Sequence, residues 1–403
     1  MKISNKVLQI MPSPHRELMA LAEEARRKGL DVINFTAGQP GLPPMHEALE
    51  ILTEGLLKKP FEYSRYIPTQ GLYELRVEIS KDLKKYGGID IDPQDIAITT
   101  GGAEAIALVL SVVTDSGDEI LLFDPCYSVY WGITKFLNLK VVTCEQRLEN
   151  DFQPDPECIK EKVSSKTTAI LVASPDNPTS RVISEEVAKT LVDVAVDRRV
   201  WLIYDEAYKH IIYEGSHIWL QKFQGAEEVL ISINSFSKDL AIPGFRIGYV
   251  YGPRNLIKEI VKVKGFTTIT TPTISQYLAY IYLNSGLKEK YLTYALNEYR
   301  RRRDAMYNAL KKYLPRAMLI KPRASMYFFP DLTEYLTEIK MNEKKFCYEV
   351  AKSTNVYILP GSVFGARGKN HVRITFVSES PERIEEGICR IAKFFKKFQY
   401  LGK

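Results

Sequence analysis

A regular alternation of strand and helix patterns begins near residue 95 and continues to residue 233. Short apolar runs of strand length are separated by stretches whose apolar residues recur with helical periodicity. The strand patterns are DIAIT, DEILLF, KVVTC, AILVAS, WLIYD and VLISI. Because such alternation is typical of consecutive βαβ units, it predicts an α/β fold with a mostly parallel sheet covered by helices on both faces.

The link after the last of these strands departs from the alternation. Between Ile233 and Arg246 lie twelve residues, which include Pro243 and Gly244. A parallel return needs a crossover of a dozen or more residues, usually a helix, and this segment already carries a lysine motif. We therefore predict that residues 247–251 form one antiparallel strand in the otherwise parallel sheet.

The lysine motif is SFSK, which ends at Lys238 directly after a buried strand. Open α/β sheets bind ligands at the carboxyl ends of their strands, so Lys238 is expected at a ligand site. Desolvation there lowers the pKa of a lysine and gives a free amine that can attack a carbonyl, and Arg246 is spaced to bind a phosphate nearby. Two alternatives stay open at this point, an ordinary surface loop and the Ser-x-x-Lys arrangement of acyl-transfer serine enzymes.

Composition narrows the class of protein. Apolar residues make up 45% and charged residues 26% of 403 positions, which is typical of a soluble globular chain with more than one domain. The net charge of +6 is the difference between 55 basic and 49 acidic residues, so the charge does not predict nucleic-acid binding. The chain has no long apolar run, so no membrane span is predicted. An odd set of cysteines without a CxxC motif favours reduced thiols and a cytoplasmic location. These cysteines are Cys126, Cys144, Cys158, Cys347 and Cys389.

The pattern changes after the alternating region. A long helical pattern covers residues 287–313, short strand patterns follow it, and a closing helix is predicted at 381–398. We predict a large domain over residues 45–290 and a smaller α+β domain over residues 291–403. The N-terminal segment, residues 1–44, is predicted to join the small domain. The basic run at 300–303 is interpreted as a solvated helix face.

Several motifs follow one another along the chain. They are GQP, YIPTQGLYELR, TTGGAEA, DPCYSVY, SPDNPT, YDEAY, SFSK, GFRIGY, and PGSVFG followed by HVRIT. In this order the set resembles the class I aminotransferases of the aspartate/aromatic type, which are pyridoxal-phosphate (PLP) enzymes of fold type I. The resemblance implies a seven-stranded central sheet, PLP as the cofactor, no metal centre, and a homodimer with shared active sites.

By this resemblance, five residues contact the ring of PLP. Lys238 holds the aldehyde, and the carboxylate of Asp205 at the end of WLIYD keeps the pyridine nitrogen protonated. Tyr208 and Asn177 donate to the phenolate oxygen, and Tyr127 stacks on the ring. Taken singly, a strand-end Asp is commonly a helix cap, Asn-Pro is a turn signal and a tyrosine packs in a core.

The phosphate of PLP needs backbone N–H donors at the start of a helix. Gly102 and Ala103, between DIAITT and the following helical pattern, are the candidates for these donors. The resemblance adds Ser235 and Arg246 from the same chain. Tyr66 matches a tyrosine that, in this family, reaches the phosphate of the neighbouring subunit.

The α-carboxylate of an amino acid is best held by a bidentate guanidinium. Arg373 in HVRITF matches the carboxylate clamp of the family, with Gly38 and Asn177 beside it, although the alternating pattern alone would place this arginine on the solvated face of an edge strand. Ala103 stands where some aspartate-specific relatives carry a basic residue, and Ser180 replaces the usual glycine after Asn-Pro-Thr. The amino donor therefore stays open among aspartate, aromatic amino acids and alanine.

The predicted function is transfer of an amino group from an L-amino acid to a 2-oxo acid, with 2-oxoglutarate as the acceptor. The cycle is of the ping-pong type through pyridoxamine phosphate, with Lys238 as general base and acid. A PLP-dependent C–S β-lyase uses the same constellation and is the alternative. A more remote alternative is a non-catalytic PLP-binding regulator.

Overall fold

The computed structural model describes residues 1–8, 10 and 14–401. Its α-helices are α1 (Asn5–Leu8), α2 (Pro14–Arg27), α3 (His46–Lys58), α4 (Pro60–Ser64), α5 (Tyr73–Gly87), α6 (Gly102–Val113), α7 (Ser128–Phe136), α8 (Pro156–Lys162), α9 (Glu185–Arg198), α10 (Ala226–Val229), α11 (Phe236–Asp239), α12 (Arg254–Thr267), α13 (Thr273–Asn284), α14 (Leu287–Tyr313), α15 (Thr333–Glu338), α16 (Glu343–Thr354) and α17 (Pro381–Leu401). Its strands are β1 (Ile33–Asn34), β2 (Ile96–Thr99), β3 (Glu119–Asp124), β4 (Lys140–Glu145), β5 (Thr167–Ala173), β6 (Trp201–Asp205), β7 (Leu230–Ser235), β8 (Gly248–Tyr251), β9 (Tyr327–Phe328), β10 (Val356–Tyr357), β11 (Leu359–Pro360) and β12 (Val372–Thr375).

A seven-stranded sheet has the strand order β2-β8-β7-β6-β5-β3-β4. Neighbouring strands run parallel except at β8, which is antiparallel to both β7 and β2. The predicted mostly parallel sheet with one antiparallel strand is therefore confirmed. The link between β7 and β8 holds only α11 and a single 3-10 turn, Pro243–Phe245, so the chain turns directly back and Ser235 lies opposite Gly248.

The central sheet is buried on both faces. Alternate residues of a strand face opposite helical layers. Leu171 and Ile203 join the apolar cluster under α6, α7 and α12, whereas Ile170 and Leu202 join the cluster under α8 and α9. Since apolar side chains fill both faces, the carboxyl ends of the strands are where polar side chains and a ligand can meet.

The remaining strands form two small sheets. Strands β11, β12 and β9 are antiparallel with β12 in the middle, and β1 runs parallel to β10. The second pairing places Ile33 opposite Val356, so the N-terminal segment is held against the C-terminal part of the chain. The domain boundaries at residues 44 and 290 stay a prediction.

The basic run in α14 is not a solvated face throughout, and that interpretation was wrong for two of its arginines. Arg303 is only 2% exposed and donates to Glu214 at 2.8 Å and to the carbonyl of Pro322 at 3.0 Å. Arg302 donates to the carbonyl of Val377. A long helix that packs on one side buries every third or fourth residue, so part of any consecutive run must point inward.

The expectation of uniformly reduced thiols was also wrong. Cys144 on β4 and Cys158 on α8 form a disulfide, with their Cα atoms 5.9 Å apart. Their separation of 14 residues carries no local signature, and only the packing of α8 beside β4 brings them together. Among the described residues, no helix is long and apolar enough to cross a lipid bilayer.

Candidate active site

Lys238 lies on α11, immediately after the carboxyl end of β7. Ser235 caps this short helix by accepting from the amide of Ser237, and Lys238 Nζ donates to the carbonyl oxygen of Gly38. Burial, reinforced by the positive charges of Arg373 and Arg246, lowers the pKa of Lys238 to about 8. About a tenth of this lysine is therefore an uncharged nucleophilic amine at pH 7, which is more than a hundred times the fraction of a lysine with the ordinary pKa.

Asp205 ends β6, the strand next to β7. Its Oδ2 accepts from the hydroxyl of Tyr130 at 2.7 Å, and its Oδ1 accepts from the amide of Ala207 at 3.0 Å. Burial raises the pKa of Asp205, while these two hydrogen bonds oppose that effect. Lys238 and Asp205 line one cavity of about 160 Å³. An amine and a carboxylate thus face the same space from adjacent strands.

The first turn of α6 forms one wall of this cavity. Gly101, which precedes it, has a φ of +79°, and a Cβ at this position would lie 2.5 Å from Arg246 Nη2. A glycine is therefore required for the guanidinium to approach the helix start. Gly102, Ala103 and Ser235 line the cavity beside Arg246. Free N–H groups at a helix start next to a guanidinium are suited to a phosphate group.

Arg373 enters the cavity from the opposite side. It lies on the middle strand β12 and is only 2% exposed, so the alternative of a solvated edge-strand arginine is excluded. Its Nη2 donates to the carbonyl of Thr36 at 2.7 Å and its Nη1 to Asn177 Oδ1 at 3.1 Å. Nε is buried without a hydrogen-bond partner within the described part of the chain. A buried guanidinium with a free donor suits a carboxylate ligand.

The structure brings together all but one of the predicted site residues. Those that line the cavity are Gly38, Gly102, Ala103, Tyr127, Asn177, Asp205, Tyr208, Ser235, Lys238, Arg246 and Arg373. Tyr66 is the exception, because its side chain is 79% exposed and does not line this cavity. Within one chain, therefore, the site is formed by the loop after β1, by residues that follow β5 or end β6 and β7, by the starts of α6 and α7, and by residues on α11, before β8 and on β12.

Among the titratable side chains of the cavity, sequence reasoning missed three, His15, Tyr130 and Tyr327. Tyr130 belongs to the DPCYSVY motif, and its helical spacing from Tyr127 was the available signal. Tyr327 lies in the SMYFFP strand pattern, and its hydroxyl is 2.7 Å from that of Tyr208. His15 carries no local signal, since it precedes every motif.

Ser180, the residue that departs from the family pattern, has a φ of +59°. Its hydroxyl donates to the carbonyl of Tyr327 at 2.8 Å, and the amide of Tyr327 donates back to it at 3.2 Å. Serine is strained in this left-handed conformation, and the paired hydrogen bonds offset part of that strain. The loop therefore keeps the backbone conformation that glycine adopts readily.

Comparison with known proteins identifies the family. The family described as Aminotransferase class I and II matches residues 30–391. The chain belongs to this family. The aminotransferase is 32% identical over 399 residues to a probable aspartate/prephenate aminotransferase of Aquifex aeolicus, covering 97% of this chain and 98% of that protein. It is also 32% identical to an aspartate aminotransferase of Pyrococcus horikoshii, covering 97% of this chain and 96% of the relative.

Solved structures agree with this assignment. The aspartate aminotransferase of Thermus thermophilus with maleate superimposes on this aminotransferase with a TM-score of 0.90 at 29% identity, covering 98% of this chain and 99% of that one. An aspartate aminotransferase of Thermotoga maritima gives a TM-score of 0.89 at 28% identity, covering 98% of this chain and 100% of that chain. The resemblance to class I aminotransferases and the expectation of fold type I are thus confirmed, and the protein is an enzyme that transfers amino groups.

Proposed function

We propose that this aminotransferase moves the amino group of an L-amino acid to 2-oxoglutarate in a ping-pong cycle, with its cofactor alternating between pyridoxal and pyridoxamine phosphate. The observation that carries the proposal is that Lys238 and Asp205 face one cavity between an anion-binding helix start and a buried arginine. Each group of such a cofactor has a matching group in the cavity wall. The amine, the carboxylate and the phosphate site come from adjacent elements of one sheet.

The residues present fit PLP. Lys238 would hold its aldehyde and Asp205 its pyridine nitrogen, while Tyr208 and Asn177 would donate to the phenolate oxygen. Tyr127 lines the cavity beside these groups, so its ring is available for stacking. The required glycine at position 101 supports a phosphate subsite made by Gly102, Ala103, Ser235 and Arg246, because it lets Arg246 reach the helix start. When bound, PLP supplies an electron sink for the Cα of the amino acid.

The chain's own residues position the amino acid and move its proton. Arg373 would bind the α-carboxylate, using the Nε donor that has no other partner, with Gly38 and Asn177 beside it. Lys238, with a pKa of about 8, is suited to take the proton from Cα and to return it as an acid, because a general base works best when its pKa lies near the ambient pH. Arg373 and Lys238 thus divide binding and proton transfer between them.

The decisive experiment is a half-reaction with a single substrate. Glutamate alone should convert the bound cofactor to its pyridoxamine form in stoichiometric amount, with release of 2-oxoglutarate. Release of ammonia and pyruvate from a cysteine conjugate, without that conversion, would instead identify a C–S β-lyase. A protein that binds PLP and does neither would be a non-catalytic regulator. A panel of donors against 2-oxoglutarate would then rank aspartate, aromatic amino acids and alanine.

We also propose that the enzyme is a homodimer whose sites are completed by Tyr66 of a second copy. Leu57 at 77% and Phe61 at 76% exposure lie within ten residues of Tyr66 in the sequence, and Phe266, at 91% exposure, follows Gly265, where an added Cβ would lie 4.0 Å from Thr69. Exposed apolar surface of this kind commonly marks a contact surface. Light scattering of the purified enzyme tests the dimer.

A cytoplasmic location and the domain limits 1–44, 45–290 and 291–403 are also proposals. Because Cys144 and Cys158 form a disulfide, reduced thiols do not support the cytoplasmic location.

A further inference from the structure

His15 is a titratable side chain of the cavity that the proposed function does not use. It lies in the first turn of α2 and lines the same cavity as Lys238 and Arg373. Its Nε2 is buried and has no hydrogen-bond partner within the described residues. The backbone of Thr36 lies beside the ring and favours its protonated form, and the carbonyl of Thr36 accepts from Arg373 at 2.7 Å. The imidazole thus lies beside the arginine, with one nitrogen left for a ligand.

The surroundings of His15 are positively charged. Burial lowers the pKa of His15 to about 4, and the charges of Arg373, Arg16 and Lys238 add to this effect. The ring is therefore neutral near pH 7 when no ligand is bound. The cavity also holds other charged or titratable groups, namely Asp205, Arg246, Tyr127, Tyr130, Tyr208 and Tyr327.

A dicarboxylic substrate needs more positive charge than the rest of the cavity offers. Its cations among the described lining residues are Lys238, Arg246 and Arg373, and the proposed function assigns these to the aldehyde, the phosphate and the α-carboxylate. The wall at position 103 is an alanine. His15 is the one remaining basic group in this lining. A second carboxylate close to it would reverse the effect of the neighbouring cations and favour protonation.

We propose that His15 is a specificity-determining residue whose ring pairs, as an imidazolium, with the side-chain carboxylate of a dicarboxylic substrate. The proton comes from solvent and is carried on the ring for as long as the ligand stays bound. Amino acids with uncharged side chains meet the neutral ring in the same place. This inference rests on the proposed function, because 2-oxoglutarate is a dicarboxylate and must enter the same cavity as the amino donor.

The test compares two unreactive acids of four carbons, succinate and butyrate, on the holoenzyme between about pH 6 and about pH 8, where both carboxyl groups of succinate are mainly ionised. Both acids have one carboxylate, and the pH dependence of butyrate binding reports the groups that bind it. The ratio of the two dissociation constants therefore measures the pH dependence that the second carboxylate of succinate adds. Because the pKa of His15 is about 4 in the free site, succinate affinity relative to butyrate should fall about tenfold per pH unit as pH rises through this range, until pH passes the higher pKa of the complex. Calorimetry in buffers of different ionisation enthalpy should show uptake of about one proton per site with succinate only.

Variants separate His15 from other sources of this pH dependence. His15→Asn keeps a polar side chain but cannot take up a proton, so the succinate-to-butyrate ratio should become independent of pH. The lysine of His15→Lys stays charged to higher pH than a histidine does, so this variant should retain its affinity for succinate at the highest pH tested. His46→Asn is the matched control, because His46 also lies in the first turn of a helix but is exposed outside the cavity.

Two results would overturn the inference. One is a pH-independent ratio in the wild type, and the other is an unchanged pH dependence in His15→Asn. Neither result bears on the proposed function, which is tested by the glutamate half-reaction. An enzyme that fails that half-reaction while His15 still controls succinate binding would contradict the proposed function and support this inference.

Discussion

The hydroxyl of Tyr130 donates a hydrogen bond of 2.7 Å to Oδ2 of Asp205, and both side chains are almost fully buried. Burial alone would favour the protonated carboxyl group. The hydrogen bond from Tyr130 opposes burial and favours the carboxylate. An ionised Asp205 is what a protonated pyridine nitrogen requires, so Tyr130 supports the central electrostatic contact of the proposed site.

Tyr130→Phe should therefore raise the pKa of Asp205 further. Because activity requires the carboxylate and is lost as pH falls through its pKa, the acid limb of kcat/KM should move to higher pH. A hydrogen bond to a charged group contributes about 1.5–3 kcal/mol, which corresponds to a shift of the acid limb by about one to two pH units. Tyr204→Phe is the control, since it removes the buried hydroxyl that donates to the carbonyl of Ile218 on the other face of β6. An unshifted acid limb in Tyr130→Phe would contradict this role.

Lys238 should react as an amine at unusually low pH. With its pKa lowered to about 8 by burial and by Arg373 and Arg246, its capture of a small aldehyde in the cofactor-free protein should level off above about pH 8. Labelling by reductive amination, followed by mass spectrometry of the peptide, measures this rate. The exposed Lys189 in the same digest is the internal reference. If the rate at Lys238 continued to rise towards pH 10.4, the ordinary value for lysine, its burial would not set its reactivity.

Gly101→Ala should weaken PLP binding at least tenfold. A Cβ there would lie 2.5 Å from Arg246 Nη2, so the guanidinium must shift from its position at the helix start, and the positive φ adds strain of about 1–3 kcal/mol. Gly117→Ala is the matched control, because Gly117 has a φ of +98° but open space around its Cβ. Spectroscopic titration of the cofactor-free variants measures the affinity. Equal effects of the two substitutions would mean that backbone strain, and not the position of Arg246, is responsible.

Arg373→Lys should raise KM for the amino acid about 10- to 100-fold, because a lysine cannot replace a planar guanidinium that contacts Thr36, Asn177 and a carboxylate at once. The effect on kcat should be smaller, since the proton is moved by Lys238. Steady-state kinetics with a saturating acceptor separates the two constants. Arg383→Lys changes an arginine paired with Asp31 at the surface and should leave both constants unchanged. A KM in Arg373→Lys equal to that of the wild type would exclude Arg373 as the carboxylate site.

A subunit-mixing experiment tests Tyr66. Lys238→Ala and Tyr66→Ala homodimers should each have low activity, whereas a mixture that has exchanged subunits should regain activity. One site of the hybrid dimer then holds an intact Lys238 from one copy and an intact Tyr66 from the other. If Tyr66 acted within its own chain, both sites of the hybrid would stay defective. Activity before and after exchange, with light scattering to follow the dimer, distinguishes these cases.

Part of the site followed from local rules. Lys238 and Asp205 come at the ends of apolar strands, and the short link before Arg246 required an antiparallel strand, so the pattern of residues sufficed to place them at one sheet edge. Arg373, Asn177 and the remaining cofactor residues were assigned only through the ordered motifs. For these, the spacing of residues offered turn, cap and edge-strand alternatives.

By itself, the sequence determined the parallel sheet, its one antiparallel strand and the lysine at its edge, because periodicity and loop length act over short stretches of chain. Only the tertiary structure decided that His15 lies near Arg373, that Tyr130 donates to Asp205, and that Arg303 is buried. The Cys144–Cys158 disulfide belongs to the same group. These contacts arise where separately formed elements pack together. Residues distant in sequence carry no shared local pattern, so their proximity is set by how helices and sheets pack.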